Sequence, residues 1–197
     1  MKAAASTKKG TAISDSEFIE SRIAWLMPAT DSLGRRFPDR VIHILSYSKT
    51  LGPDLRLAVL SSSASVVEQI QSYRSFSAGW TSRILQAATS WLLQDGETEN
   101  VVRRARAAYR ERRHALAGAL YEHGLEINAG DGLSVLVPVE SENYALITLA
   151  SRGIAVSAGS RFSTKPTSSV RVATSVLQLS EVHRVADAIS AAAATPR

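Results

Sequence analysis

Lys49 ends a short polar stretch that follows an apolar run, Arg40-Val41-Ile42-His43-Ile44-Leu45. Ser46 and Ser48 come just before it, and Arg56 lies seven residues after it. That set brings a primary amine, two hydroxyls and a guanidinium into one short segment. It suits a phosphorylated aldehyde: the amine condenses to a Schiff base, while the hydroxyls and guanidinium hold the phosphate by charge-assisted hydrogen bonds. The same spacing also fits an ordinary lysine on a surface loop. Other constellations are weaker. His43, His114, His123 and His183 are too far apart, on unrelated elements, to suggest a metal site. No paired carboxylates and no Ser/His/Asp arrangement emerge. Arg103, Arg104, Arg106, Arg110, Arg112 and Arg113 read as a solvated helix face with ion pairs before they read as a nucleic-acid contact.

The elements that must carry these groups are those of an α/β chain. The run before Ser46 predicts a strand buried on both faces of a parallel sheet. A polar loop at the carboxyl end of such a strand is where open α/β sheets bind ligands. Upstream, the β-prone Thr11-Ala12-Ile13-Ser14 leads to Asp15, and Arg22 to Asp39 reads as irregular chain broken by Pro28, Gly34 and Pro38. A second apolar run, Leu55 to Leu60, contains one charge, Arg56. Helices follow at Ser65–Tyr73, opening on a serine cap, and at Trp80–Leu93, apolar on most sides and therefore expected to be buried. A long amphipathic helix starts at Thr98, with Val101, Ala105, Ala108, Arg112, Ala115 and Ala119 on one stripe, and Gly124 stops it.

Shorter units come next: a strand at Leu133–Val137, a helix at Asn143–Ser151 closed by Gly153, strands at Ile154–Ser157 and Val170–Ala173, and a last helix from Ser180 to about Ala192. The expected organisation is a disordered tail over 1–10, the C-terminal part of a larger domain over 11–97, and the long helix with a small α+β domain over 98–197.

Hydrophobic residues at 45% and charged residues at 21% exclude a disordered chain. With 23 basic and 18 acidic side chains the net charge is +5, which suits an anionic ligand and equally an ordinary protein surface. The absence of cysteine excludes a disulfide framework, thiolate metal sites and a cysteine nucleophile, and makes the cytoplasm the natural compartment. No segment approaches the ~18 apolar residues of a membrane span, which sets membrane functions aside.

The stretch Ser46-Tyr47-Ser48-Lys49-Thr50-Leu51-Gly52-Pro53-Asp54-Leu55-Arg56-Leu57-Ala58 resembles the Schiff-base lysine motif of the class I and II aminotransferases, the fold type I pyridoxal-phosphate enzymes. Within that superfamily it is similar to the aminotransferase-like domain of MocR-like, GntR-type transcription regulators. Asp54 and Ala58 stand where the family usually has glycine. The resemblance implies pyridoxal 5'-phosphate as cofactor, Lys49 as its tether, and Ser46, Ser48 and Arg56 as phosphate ligands. It further implies Asp15 as the partner of the pyridine nitrogen, although Glu17 and Phe18 occupy the place of an expected tyrosine. Downstream, Gly153 to Phe162 and Ser169-Val170-Arg171-Val172-Ala173 resemble the family's small-domain turn and strand, which makes Arg171 the anchor of the substrate α-carboxylate.

The resemblance runs from about Thr11 to Ile189 and corresponds to the latter part of a fold type I enzyme. The expected fold is thus part of the aminotransferase large domain, a mostly parallel sheet with helices, followed by the small α+β domain. Amino acids and 2-oxo acids are the implied substrates. A homodimer, or a partner chain supplying the other half, is the implied assembly. Two functions follow from the resemblance: amino transfer through Lys49, or a non-catalytic domain of a regulator that senses the cofactor and an amino compound.

Overall fold

The computed structural model describes residues 33–34, 36–37, 39–77 and 79–195. The tail over 1–10, the Thr11–Ser14 strand and Asp15 lie outside the described residues. The chain divides into two compact units, Met1–Arg103 and Arg104–Arg197, and the division falls inside the longest helix.

In the first unit, β1 (His43–Ser46) leads into a 3-10 turn at Tyr47–Lys49 and a second at Pro53–Leu55, then β2 (Ala58–Ser61). The strands pair antiparallel, His43 with Ser61 through Ser46 with Ala58. The described part of this sheet is therefore an antiparallel ribbon, where the apolar run had suggested a parallel neighbour. Mixed sheets commonly carry such a pair beside parallel strands. Burial on both faces, expected for this run, is also not what the described residues hold: His43 is exposed and Ile44 is 62% exposed. A strand is buried twice only where layers cover both faces, and among the described residues β1 is packed only at Leu45, against the cluster of Tyr47 and Val102.

Helix α1 (Ala64–Ser75) starts after Ser63, two residues before the expected serine cap. Helix α2 (Arg83–Leu92) starts after Ser82, whose hydroxyl accepts from the Leu85 amide. Trp80, Ile84 and Trp91 remain 84%, 80% and 64% exposed, so the apolar character of this segment does not translate into burial within the described residues. The apolar core of this unit is small: Tyr47 and Val102, with Leu45, Leu51, Leu57, Val59 and Leu93 around them.

Helix α3 (Gly96–Glu122) begins beside Asp95, whose carboxylate accepts from both the amide and the hydroxyl of Thr98 at 2.8 Å. That satisfies an orphan amide of the first turn and holds the Asp95 carboxyl below its usual range. Gly124 ends the helix at φ 77°, and the Leu125 amide reaches back to the Leu120 carbonyl at 2.9 Å, a left-handed stop suited to glycine. The buried face carries Val102, Arg113, Leu116, Ala119 and Leu120. It is shifted by about one position from the expected stripe, and Val101 is 49% exposed. The largest apolar side chains, Leu116 and Leu120, set the face, and Arg113 falls on it.

The second unit continues with β3 (Ser134–Pro138), α4 (Glu142–Ser151), β4 (Ser157–Ala158), a 3-10 turn at Gly159–Phe162, β5 (Ser169–Ala173) and α5 (Val182–Ala193). The sheet order is β3-β5-β4, antiparallel throughout. Alternation decides its faces: Val135, Val137, Val170 and Val172 point into a core closed by Leu116 and Leu120, by Ala145 and Leu149 of α4, and by Val185, Ala186 and Ile189 of α5. Each fully buried aliphatic side chain contributes about 1.5–3 kcal/mol. The other face keeps Ser134, Leu136 and Arg171 at least partly open. No described helix is long and apolar enough to cross a membrane.

Candidate functional site

The end of the β1–β2 ribbon carries the lysine motif. Tyr47 is 3% exposed, and its burial raises its pKa above the ordinary tyrosine value. Its amide donates to the Leu57 carbonyl at 3.0 Å, and its own carbonyl accepts from the Thr50 and Leu51 amides at 3.2 and 2.9 Å. This anchor closes the 3-10 turn and leaves Lys49, the last residue of that turn, exposed. Ser46 is exposed on one side of Tyr47 and Ser48 is half-buried on the other. The Tyr47–Leu57 bond also brings the start of β2 to the same end of the ribbon, and with it Arg56.

Arg56 has φ 45° and ψ 33°, the only non-glycine residue in the left-handed region among the described residues. Such a conformation costs on the order of 1 kcal/mol and persists where its surroundings impose it. Here the turn at Pro53–Leu55 precedes it and the Tyr47–Leu57 bond follows it. Gly52, at φ 118°, supplies the other special backbone position in this loop. The side-chain donors of Ser46, Ser48, Lys49 and Arg56 make no hydrogen bond or ion pair among the described residues. An amine, two hydroxyls and a guanidinium gathered at one ribbon end, with their donor capacity unspent, fit a phosphorylated aldehyde. Asp54, in the glycine position of the motif, is exposed within the second turn.

Arg171 belongs to the second unit, on the central strand β5. It pairs in register with Leu136 of β3 and Ser157 of β4. Its Nε donates to the Ser134 hydroxyl at 3.1 Å, and its Cζ lies 4.8 Å from the centre of the Phe162 ring. Phe162 is held by its turn: the Ser160 amide and hydroxyl donate to the Glu142 carboxylate at 2.8 and 2.6 Å, tying the turn to α4. Those bonds, the hydroxyl's first, hold the Glu142 carboxyl below its usual range.

Sequence reasoning named Arg171 and the Gly-Ser-x-Phe turn but gave no role to Ser134, Phe162 or Glu142. The alternation of β3 was the available signal for Ser134, because Val135 facing inward sends Ser134 to the face of Arg171. Tyr47 likewise received no role from the sequence. Among the described residues no group of His, Asp and Glu could hold a metal ion.

The class I and II aminotransferase family matches residues 9–189. The vitamin B6 salvage pathway transcriptional repressor PtsJ of Salmonella typhimurium is 34% identical over 145 residues, 73% of this chain and 34% of the repressor. The HTH-type transcriptional regulator TauR of Rhodobacter capsulatus is 31% identical over 156 residues, 75% of this chain and 31% of the regulator. The chain thus spans about a third of the length of these curated relatives. Aspartate aminotransferase of Thermus thermophilus, solved with maleate, superposes with a TM-score of 0.72 at 24% identity, covering 82% of this chain and 43% of that one. LysN, an α-aminoadipate aminotransferase of the same species complexed with N-(5'-phosphopyridoxyl)-L-leucine, gives 0.70 at 21% identity, covering 84% and 45%. These likenesses establish a partial fold type I aminotransferase fold. With the lysine motif at the ribbon end and a family match over nearly its whole length, the chain belongs to the class I and II aminotransferases.

Proposed function

We propose that this chain binds pyridoxal 5'-phosphate at Lys49 and transfers an amino group between an amino acid and a 2-oxo acid. The observation that carries the reading is the ribbon end, where Lys49, Ser46, Ser48 and the left-handed Arg56 gather four uncommitted donors around one buried tyrosine. The cofactor, when bound, supplies an electron sink for chemistry at the α-carbon of an amino acid. Lys49 Nζ would hold it covalently, and its amine, when free, would carry the proton at the substrate α-carbon. Ser46, Ser48 and Arg56 bind the phosphate. Arg171 orients the substrate by its carboxylate. Asp15 keeps the pyridine nitrogen protonated.

One observation favours a second reading, a cofactor- and amino-acid-sensing effector domain of a GntR-type regulator. The relatives above 30% identity are named as transcription regulators, whereas the enzymes superposed above are 24% identical or less. Both readings use Lys49. Purified chain is mixed with pyridoxal phosphate, reduced with borohydride and digested, and mass spectrometry should find the adduct on Lys49 and none in Lys49→Ala. An adduct spread over surface lysines, or equal cofactor binding by Lys49→Ala, defeats the assignment. Amino transfer to a panel of 2-oxo acids then separates enzyme from sensor.

A further inference from the structure

We infer that Ser134 is a positioning residue for Arg171, fixing the guanidinium so that its Nη1/Nη2 edge is the one offered to a carboxylate. The inference rests on the reading of Arg171 as the carboxylate anchor and specifies how that anchor is set. A guanidinium can take a carboxylate side-on, through Nε and one Nη, or end-on, through both Nη atoms. The Nε of Arg171 is engaged by Ser134 at 3.1 Å, which removes the side-on edge. One face of the plane is covered by Phe162 at 4.8 Å. The Nη atoms have no hydrogen bond among the described residues, and the side chain is half-buried. End-on pairing is the geometry left.

Ser134 is itself held. It opens β3 directly after Gly132 and Leu133, and buried Arg113 donates to the Gly132 carbonyl at 2.5 Å. The Leu133 carbonyl accepts from the Thr174 amide at 2.9 Å, just past the end of β5. Arg112 donates to the Ser175 carbonyl one residue further on. Two adjacent arginines of α3 therefore brace the strand ends that carry Ser134 and Arg171, so the hydroxyl meets Nε at a fixed place. A flexible arginine that is already ordered loses less freedom when it binds.

The test uses the full chain labelled with nitrogen-15, with maleate as a carboxylate probe and the Arg171 Nε–H resonance, assigned by its loss in Arg171→Lys, as the readout. Wild type should show saturable shifts of that resonance. Ser134→Ala and Ser134→Val should bind maleate about threefold to tenfold more weakly and exchange the Nε proton faster, with the thermal midpoint unmoved. Ser134→Thr, which restores an acceptor in the shape of valine, should recover both. Unchanged affinity in the alanine and valine variants, no recovery with threonine, or an Arg171 resonance indifferent to maleate overturns the inference. Failure of the Lys49 reading appears separately, in the borohydride adduct, because the titration does not involve the cofactor.

Discussion

Gly159→Ala should unfold the small domain's edge. Gly159 is buried at the start of the turn that follows β4, and an added Cβ would lie 2.0 Å from the Ser169 hydroxyl, 2.7 Å from the Ser169 carbonyl oxygen and 2.9 Å from its carbon. The hydroxyl can rotate away, but the carbonyl belongs to the first residue of β5 and is fixed by the sheet. Relief to ordinary contact needs a displacement of roughly 0.7 Å, and overpacking of this kind costs about 1–3 kcal/mol. Strand β4 has only two residues, so the shift falls on it and on the turn carrying Phe162. At about 2 kcal/mol, a unit of this size should lose about 8–16 °C in thermal midpoint, followed by far-ultraviolet circular dichroism. Ser169→Ala added to Gly159→Ala should recover little, since it removes only the 2.0 Å contact. A Gly159→Ala midpoint within about 2 °C of wild type, or full recovery in the double variant, refutes the backbone-contact reasoning.

Arg113 and Asp131 should behave unequally. Arg113 is 5% exposed with its Nε unpartnered, and its contact with Asp131 is long, 3.8 Å, to a carboxylate 79% exposed. Arg113→Ala should cost about 2–4 kcal/mol in urea unfolding through lost packing and the abandoned Gly132 carbonyl, whereas Asp131→Asn should cost under about 0.5 kcal/mol. Equal losses would show that the ion pair, not burial, holds this corner. Acid should also weaken the fold. Hydrogen bonds hold the carboxyls of Asp95, Glu140 and Glu142 below their usual values of 3.8, 4.5 and 4.5. A depressed folded pKa gives stability that is present above the unfolded pKa and is lost as pH falls through the folded one. The urea midpoint should therefore decline below about pH 4.5, and less steeply once Thr98, Thr195 and Ser160 are replaced by residues without a hydroxyl. A midpoint that stays flat or rises in acid contradicts this.

The lysine motif was legible because it is contiguous: hydroxyl, amine, proline and guanidinium stand in one segment whose local turns gather them. The second unit was legible for a different reason. It closes its own core, so the periodicities around Leu116, Leu149, Val170 and Ile189 correspond to burial inside the same unit. In the first unit the same reasoning misled. The run before Ser46 and the segment Trp80 to Leu93 are apolar enough to be buried, yet Ile44, Trp80, Ile84 and Trp91 are open among the described residues. Apolarity states that a surface needs a partner and does not say that the partner is near. The long helix expected from Thr98 formed, over Gly96–Glu122, but its buried stripe was misplaced for a different reason. Counting Arg112 into a stripe of alanines moved the face by one position, whereas the packing is set by Leu116 and Leu120 and brings Arg113 inside.

Arg171 marks where motif reading stops and register begins. Its partner Ser134 is 37 residues away in the chain, and nothing local links them. What links them is the pairing of β3 with β5, in which Leu136 stands opposite Arg171 and Ser134 lies two residues along the same face. That pairing is held by the opposite face, because a slip of β3 by one residue would turn Val135 and Val137 out of the core and Ser134 into it. The stability of the small domain and the aim of its guanidinium are thus the same fact seen from two sides of one sheet. A core substitution that loosens the register should weaken carboxylate binding at Arg171 without touching it, and a Ser134 variant should weaken binding while the core stays intact.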